Sequence, residues 1–326
     1  MRYSVIIPVY NRPEEVRELL DSLTKVSYKS FEVLVIEDGS TITCEHVVHE
    51  FENRLDLSYF RKENSGQGFT RNTGFEKAQG DYYVVFDSDC IIPSDYFDAV
   101  NQKIAQTGSI DCWGGPDRAH PSFTSIQKAI NYSMTSVFTT GGTRGSHMHI
   151  GTYFPRSFNM GVSKEVYEET GGYKITRMGE DLEFSIRIQN SGYQIHYIDD
   201  AFVYHKRRTT FSQFYKQLFF FGRARVNIWR FHPRQLKVIH LFPSLFLTGF
   251  LYGITGTLFD FPAAQTLMSF YGIFVVILFI DSFRSENSFE VAYLSALSGF
   301  IQLIAYGAGL LSELLKGKSI YQEVRS

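Results

Sequence analysis

The chain reads as an α/β fold with a largely parallel sheet, followed by a C-terminal membrane region. Three observations carry this reading. Residues 3–9, 16–23 and 31–36 give an apolar strand, a helical apolar stripe and a second apolar strand, at the spacing of a βαβ unit. A further apolar run, 82–86, stops abruptly at Asp87 and Asp89. Carboxylates at that edge of an α/β strand stand where such folds bind ligands. The last third is far more apolar than the rest, with three stretches that approach or exceed the roughly 20 residues a spanning helix needs.

The 326 residues suffice for a sizeable core and one large or two ordinary domains. A net charge of −2 offers no global basic field, so nucleic acid is not an expected partner. Cys44, Cys90 and Cys112 lie at unrelated spacings and make neither a disulfide framework nor a zinc site. Met1 leads straight into a strand-like segment, so no cleaved secretory signal is expected.

In chain order, Pro8 falls at the end of the first strand, where a lost amide pairing is tolerable. Tyr10-Asn11-Arg12 forms the turn, and Pro13 opens a helix at a favoured position. The second strand ends in Glu37-Asp38-Gly39-Ser40. A third segment, 57–61, leads to a polar, glycine-containing loop and to Arg71-Asn72-Thr73-Gly74 on a helix. Singly, each has a bland reading: Asp and Gly suit turns, Tyr10 could pack, and Arg71 could be a surface cation. Asp87-Ser88-Asp89 alone could be a turn. Together they outline a Rossmann-like crevice with acidic strand ends, an arginine and a paired carboxylate of the kind that suits Mg²⁺ or Mn²⁺. No Gly-x-Gly-x-x-Gly follows the first strand and no Gly-Lys-Ser/Thr loop is present, which argues against dinucleotide redox enzymes and P-loop kinases.

Ile6-Ile7-Pro8-Val9-Tyr10-Asn11, Val35-Ile36-Glu37-Asp38-Gly39-Ser40, Thr70-Arg71-Asn72-Thr73-Gly74 and Phe86-Asp87-Ser88-Asp89 resemble the family 2 glycosyltransferases of GT-A fold. Gly171-Gly172-Tyr173, Gly179-Glu180-Asp181-Leu182-Glu183 and Val203-Tyr204-His205-Lys206 extend the resemblance, in the family's order, over about the first two-thirds of the chain. Glu37 departs from the family, which often has Asp there; Asp38 is kept. Phe221-Gly222-Arg223-Ala224-Arg225 stands where a processive synthase would carry Gln-x-x-Arg-Trp.

The resemblance implies an inverting, metal-dependent transfer from a UDP- or GDP-type nucleotide sugar. Pro8, Tyr10, Asp38, Arg71 and Asp87 form the expected donor-binding set. Tyr10, Asp38 and Arg71 would hold the nucleoside, with Asp38 on a base amide and Asp87 on ribose or donor sugar. Asp89 would bind the divalent cation, with His205 as a second candidate ligand; neutral imidazole suits Mn²⁺. Asp181 would be the general base toward an acceptor hydroxyl. Without the resemblance, Glu180 and Asp181 could be only acidic residues favoured at a helix start. Two other classes remain open: a sugar nucleotidylyltransferase, and a catalytically silent membrane scaffold of the same fold.

Residues 110–160 are glycine-rich in part, and loops of this kind often line sites. His147 and His149 are read there as loop residues rather than metal ligands. Lys206, Arg207 and Arg208 could make a solvated or membrane-facing basic patch. The expected layout is a GT-A domain at 1–209, a basic aromatic interfacial helix region at 210–237, and two to three hydrophobic helices in 238–326. Apolar stretches at 238–259, 263–280 and 289–315 define the last part, with a tight hairpin at Asp260-Phe261-Pro262. Basic residues before the first stretch place the catalytic part on the cytoplasmic face of an inner membrane, where nucleotide sugars occur. Three spans would then export the C-terminus, whereas Lys316, Lys318 and Arg325 prefer the inside. The acceptor expected from the membrane tether is lipid-linked or a surface glycan, with membrane lipids as further partners.

Overall fold

A computed structural model describes residues 1–120, 122–141 and 153–316. His147, His149, the glycine-rich 145–151 stretch, Lys318 and Arg325 lie outside the described residues. The chain divides into two compact units, one of 1–120 with 153–206 and the other of 122–141 with 207–316, counting described residues. The expected first domain, 1–209, ran continuously. In the structure residues 122–141 group instead with the C-terminal part, because the apolar side of their helix packs on the last helix of the chain.

In the first unit, β1 (Tyr3–Val9), α1 (Pro13–Thr24), β2 (Phe31–Asp38), α2 (Glu45–His49) and β3 (Leu57–Lys62) come first. Then follow α3 (Gln67–Lys77), β4 (Tyr82–Val85), β5 (Cys90–Ile91), α4 (Tyr96–Thr107), β6 (Cys112–Gly114) and β7 (Asp117–Arg118). The second unit takes the next two helices, α5 (Ser125–Thr135) and α6 (Val137–Thr140). The first resumes with β8 (Met160–Ser163), α7 (Lys164–Thr170), α8 (Glu180–Asn190), β9 (Ile195–Tyr197) and β10 (Val203–His205).

Seven strands among the described residues form one sheet in the order β3-β2-β1-β4-β8-β6-β9. β3, β2, β1 and β4 run parallel, β8 is antiparallel to both neighbours, and β6 and β9 are parallel. Side chains alternate between the two faces. Val5, Ile7, Val33 and Val35 face one core with α1, while Ile6, Leu34, Ile36 and Val85 face another with Phe75 and Phe184. Both faces are covered, which is why these strands are largely apolar, and the buried Ser4 and Glu32 satisfy each other at 2.6 Å. Pro8 is tolerated in this central strand because β4 pairs β1 only from Tyr3 to Ile6. A small second sheet, β5-β10-β7, carries His205 as the last residue of its middle strand.

In the second unit, α9 (Phe211–Phe231), α10 (Phe242–Leu258), α11 (Pro262–Glu286) and α12 (Phe289–Leu315) join α5 and α6. α12 is the centre, packing on α9, α5, α11 and α10. Gly222 and Gly309 let α9 and α12 approach backbone to backbone: a Cβ on Gly309 would lie 1.9 Å from the Phe219 carbonyl oxygen. Three described helical segments, Val238–Leu258, Pro262–Glu286 and Phe289–Leu315, are long and apolar enough to cross a membrane. The expected turn between the first two is present, with Asp260 at φ 57 and the Phe261 amide on the Gly256 carbonyl at 2.8 Å. α9 falls in the expected basic aromatic interfacial region. One of its sides is buried against α12, and Arg223 and Arg230 bond the buried Glu313 at 2.9 and 2.8 Å. The basic run 206–208 is also partly consumed. Lys206 pairs with Glu18 at 2.6 Å, and Arg207 is buried and donates to Asn131.

Candidate active site

All the expected site residues belong to the first unit. Three loops meet at the carboxyl ends of β1, β2 and β4. Asn11, at φ 55, accepts from the amides of Thr41 and Ile42 at 2.8 and 2.9 Å, and its own amide donates to Ser40 Oγ. The β1 turn is thereby fastened to the β2 loop, and Tyr10 is left 52% exposed. Asp38, at the end of β2, accepts from Lys62 Nζ at 2.7 Å and from the amides of Ser65 and Gly66 at 2.9 Å. Burial raises its pKa, but the hydrogen bonds from Lys62 and Ser65 outweigh burial and leave the carboxyl below its usual range. The Thr70 hydroxyl is a further hydrogen-bond partner of this carboxylate.

Arg71 lies on α3 and is only 2% exposed. It donates to Asp87 Oδ1 at 2.7 Å and to Glu180 Oε1 at 3.2 Å, with the Tyr173 ring 5.5 Å from its guanidinium carbon. It therefore ties the end of β4 to the start of α8, where Asp181 is the next residue. Burial, then the neighbouring Asp181 charge, pushes the Glu180 carboxyl upward against the opposing pull of Arg71. Asp181 accepts the Leu182 amide at 2.8 Å on one oxygen, and Arg156 Nη1 stands 3.5 Å from the other. Asn72, next to Arg71, exchanges two 2.8 Å bonds with the Tyr173 backbone and holds the loop before α8 in place.

Asp89 is the third centre. Its Oδ1 faces His205 Nε2 at 3.1 Å, because β5 and β10 pair with Cys90 opposite His205. Its Oδ2 accepts from Arg12 Nη1 at 2.7 Å. Burial raises this carboxyl, but His205 and Arg12 together hold it well below the carboxylate range. His205 Nδ1 is 3.9 Å from Asp117 Oδ2 on β7, and the imidazole lies against Phe158. Asp89, Cys90 and His205 offer ligand atoms within 4.8 Å of one another. The Cys90 thiol donates to the Phe158 carbonyl, and burial raises its pKa well above the ordinary value. The donors that fit a hard divalent ion are thus the Asp89 carboxylate and the His205 imidazole.

The structure brings the sequence-predicted residues into three groups: Tyr10 on a turn fastened by Asn11 to the loop that follows Asp38, Arg71 with Asp87 and the residue before Asp181, and Asp89 with His205. Pro8 shapes β1 and carries no polar contact. Lys62, Arg156 and Asp117 carry no signal in the sequence, where Arg12 is only part of a turn and Glu180 only an acidic residue beside Asp181. The Arg12 position, just after Tyr10-Asn11, could have drawn notice only if the pairing of the β1 turn with Asp89 were known.

Residues 4–171, more than half of the chain, match the family described as Glycosyl transferase family 2. Glycosyltransferase AglE of Haloferax volcanii is 26% identical over 264 residues, 76% of this chain and 81% of that protein. Poly(ribitol-phosphate) beta-N-acetylglucosaminyltransferase TarS of Staphylococcus aureus is 37% identical over 93 residues, 27% of this chain but 16% of that longer protein. The solved structure of mannosyltransferase PcManGT from Pyrobaculum calidifontis, in complex with GDP-Man and Mn²⁺, is similar at TM-score 0.61. That similarity covers 97% of this chain and 88% of the other at 16% identity, and it shows the fold to be GT-A. The chain is a transferase and belongs to glycosyl transferase family 2.

Proposed function

We propose that the chain moves a sugar, with inversion, from a nucleoside diphosphate-sugar to a hydroxyl of a lipid-linked or surface-glycan acceptor. The observation that carries this reading is the buried bridge from Asp87 through Arg71 to Glu180, adjacent to Asp181. It holds a donor-side carboxylate and a base candidate in fixed relation, which is what positioning catalysis requires. Asp181 accepts the acceptor proton; it is 18% exposed, so an acceptor can reach it. Tyr10 and Asp38 hold the nucleoside. Asp87 binds ribose or donor sugar. Arg71 is too buried for the nucleoside role expected of it and positions Asp87 instead.

Asp89 and His205 would hold a divalent ion, which when bound supplies charge neutralisation at the leaving diphosphate. A neighbour of the same fold binds GDP-Man and Mn²⁺, which favours a nucleoside diphosphate donor. The catalytic unit faces the cytoplasm in this reading, supported by Arg223, Arg225, Arg230, Arg234 and Lys237 ahead of the first apolar segment.

The test is nucleoside diphosphate release by the detergent-solubilised full chain, with UDP- and GDP-sugars, Mn²⁺ or Mg²⁺, and added membrane lipid extract. One donor should be turned over, with product of opposite anomeric configuration by NMR. Asp181→Asn should lower kcat by about 10²–10⁴ with donor binding kept. An Asp181→Asn protein at full turnover would overturn the assignment.

A further inference from the structure

Arg12 has no part in the reaction as proposed, yet it makes one of the closest contacts to the metal-type carboxylate. Asp89 has both oxygens engaged, Oδ1 toward His205 Nε2 at 3.1 Å and Oδ2 on Arg12 Nη1 at 2.7 Å. The Asp89 side chain is 10% exposed, while that of Arg12 is 37% exposed and can move. Arg12 also flanks the N-terminus of α1, the end of a helix dipole that disfavours a cation. Asp89, with Glu15 and Asp87 nearby, offsets that placement. The Arg12 backbone, by contrast, is anchored, since the Asn11 bonds fix the turn that carries Tyr10.

A carboxylate this buried is costly to leave unpaired. We infer that Arg12 is a stand-in cation: it neutralises Asp89 before the divalent ion binds, and yields that oxygen to the ion and turns to the donor diphosphate. This rests on the metal-dependent reading above. The exchange leaves no buried charge unpaired, because Asp89 passes from one cation to another and the freed guanidinium meets an incoming anion. It follows that metal and nucleoside diphosphate bind cooperatively, each favouring the arrangement the other needs, and that the coupling is reciprocal.

The experiment measures Mn²⁺ binding by electron paramagnetic resonance of the free ion. It uses the detergent-solubilised full chain, with and without GDP or UDP, for wild type, Arg12→Gln, Arg12→Lys and Asp89→Ala. Arg12→Gln should bind Mn²⁺ alone about tenfold more tightly, the scale of one hydrogen bond between charged groups. In the same variant the tightening of Mn²⁺ by nucleoside diphosphate should shrink. A purely structural arginine would weaken both. A melting profile accompanies each variant. If Arg12→Gln does not fold, Arg12→Lys, whose ammonium lacks the planar fork, must show both changes in smaller measure. Mn²⁺ binding lost in Asp89→Ala but not tightened in the Arg12 variants overturns the inference alone. No saturable Mn²⁺ binding by wild type even with nucleoside diphosphate, or unchanged binding in Asp89→Ala, overturns it together with the metal reading.

Discussion

Glu37 and Asp38 are neighbours in sequence with different tasks. Strand alternation turns their side chains to opposite faces of β2. Glu37 is fully buried and accepts the Cys44 amide at 2.8 Å, the Tyr59 hydroxyl at 3.2 Å and the Ser40 hydroxyl. Its extra methylene, compared with the aspartate common in the family, is what reaches across to Cys44, so Glu37 shapes the loop. Asp38 faces the proposed donor side and is held by Lys62 and two amides. Its carboxyl lies below the ordinary 3.8, so the folded state binds this proton less tightly than the unfolded chain. The stability this gives is complete above the ordinary value and is lost as pH falls through the folded one. Asp38→Asn should therefore melt below wild type at pH 7, and the gap should narrow as pH falls below the ordinary carboxyl value in thermal scans of detergent-solubilised protein.

At the scale of elements, α3 does most to assemble the site. One face of it carries Gly68, Arg71 and Asn72, which meet Ile175, the Asp87/Glu180 pair and Tyr173 in turn. Gly68 is needed for contact rather than for backbone freedom. A Cβ there would lie 2.4 Å from the Ile175 carbonyl oxygen, and the Gly68 amide donates to the Thr176 carbonyl at 3.1 Å. Backbone cannot move aside as a side chain can. Gly68→Ala is expected to cost about 1–3 kcal/mol and to tilt α3, moving Arg71 and with it Asp87. A melting scan and a donor titration check this: both Tm and donor affinity should fall, and an unchanged affinity would separate α3 from the site. α9 illustrates the opposite limit of sequence reading. Aromatics on several faces suit lipid and protein equally, and only the Gly222 and Gly309 approach shows which side packs on α12.

At the scale of the whole molecule, the second unit leaves much apolar surface uncovered. Only 17% of the most apolar windows in the first two candidate spans is buried within it, against 56% for α12. Leu245, Leu258, Phe270, Ile273 and Val276 are among the exposed side chains. A soluble surface rarely carries so continuous a patch, and lipid is the natural cover. The full chain should stay in the membrane pellet after alkaline carbonate extraction and be released by detergent. Recovery in the carbonate supernatant would exclude spanning helices.

Several local facts of this protein were legible in its sequence: the first parallel strands, the carboxylates at their ends, and the helices apolar enough for lipid. Each depends on the period of side chains and on residue chemistry within about ten positions. Asp87, Asp89 and Asp181 stood out for that reason. What only the tertiary structure decided are relations across long separations. Arg71 reads as a surface cation or a nucleoside ligand until Asp87 and Glu180, 16 and 109 residues away, are seen on its guanidinium. Arg12 reads as a turn residue until Asp89, 77 positions on, is found beneath it. Residues 122–141 read as part of the first domain until α12 offers them an apolar partner. Ion pairs and helix contacts of this kind are set by strand register and close packing, and neither is encoded in any short stretch of chain.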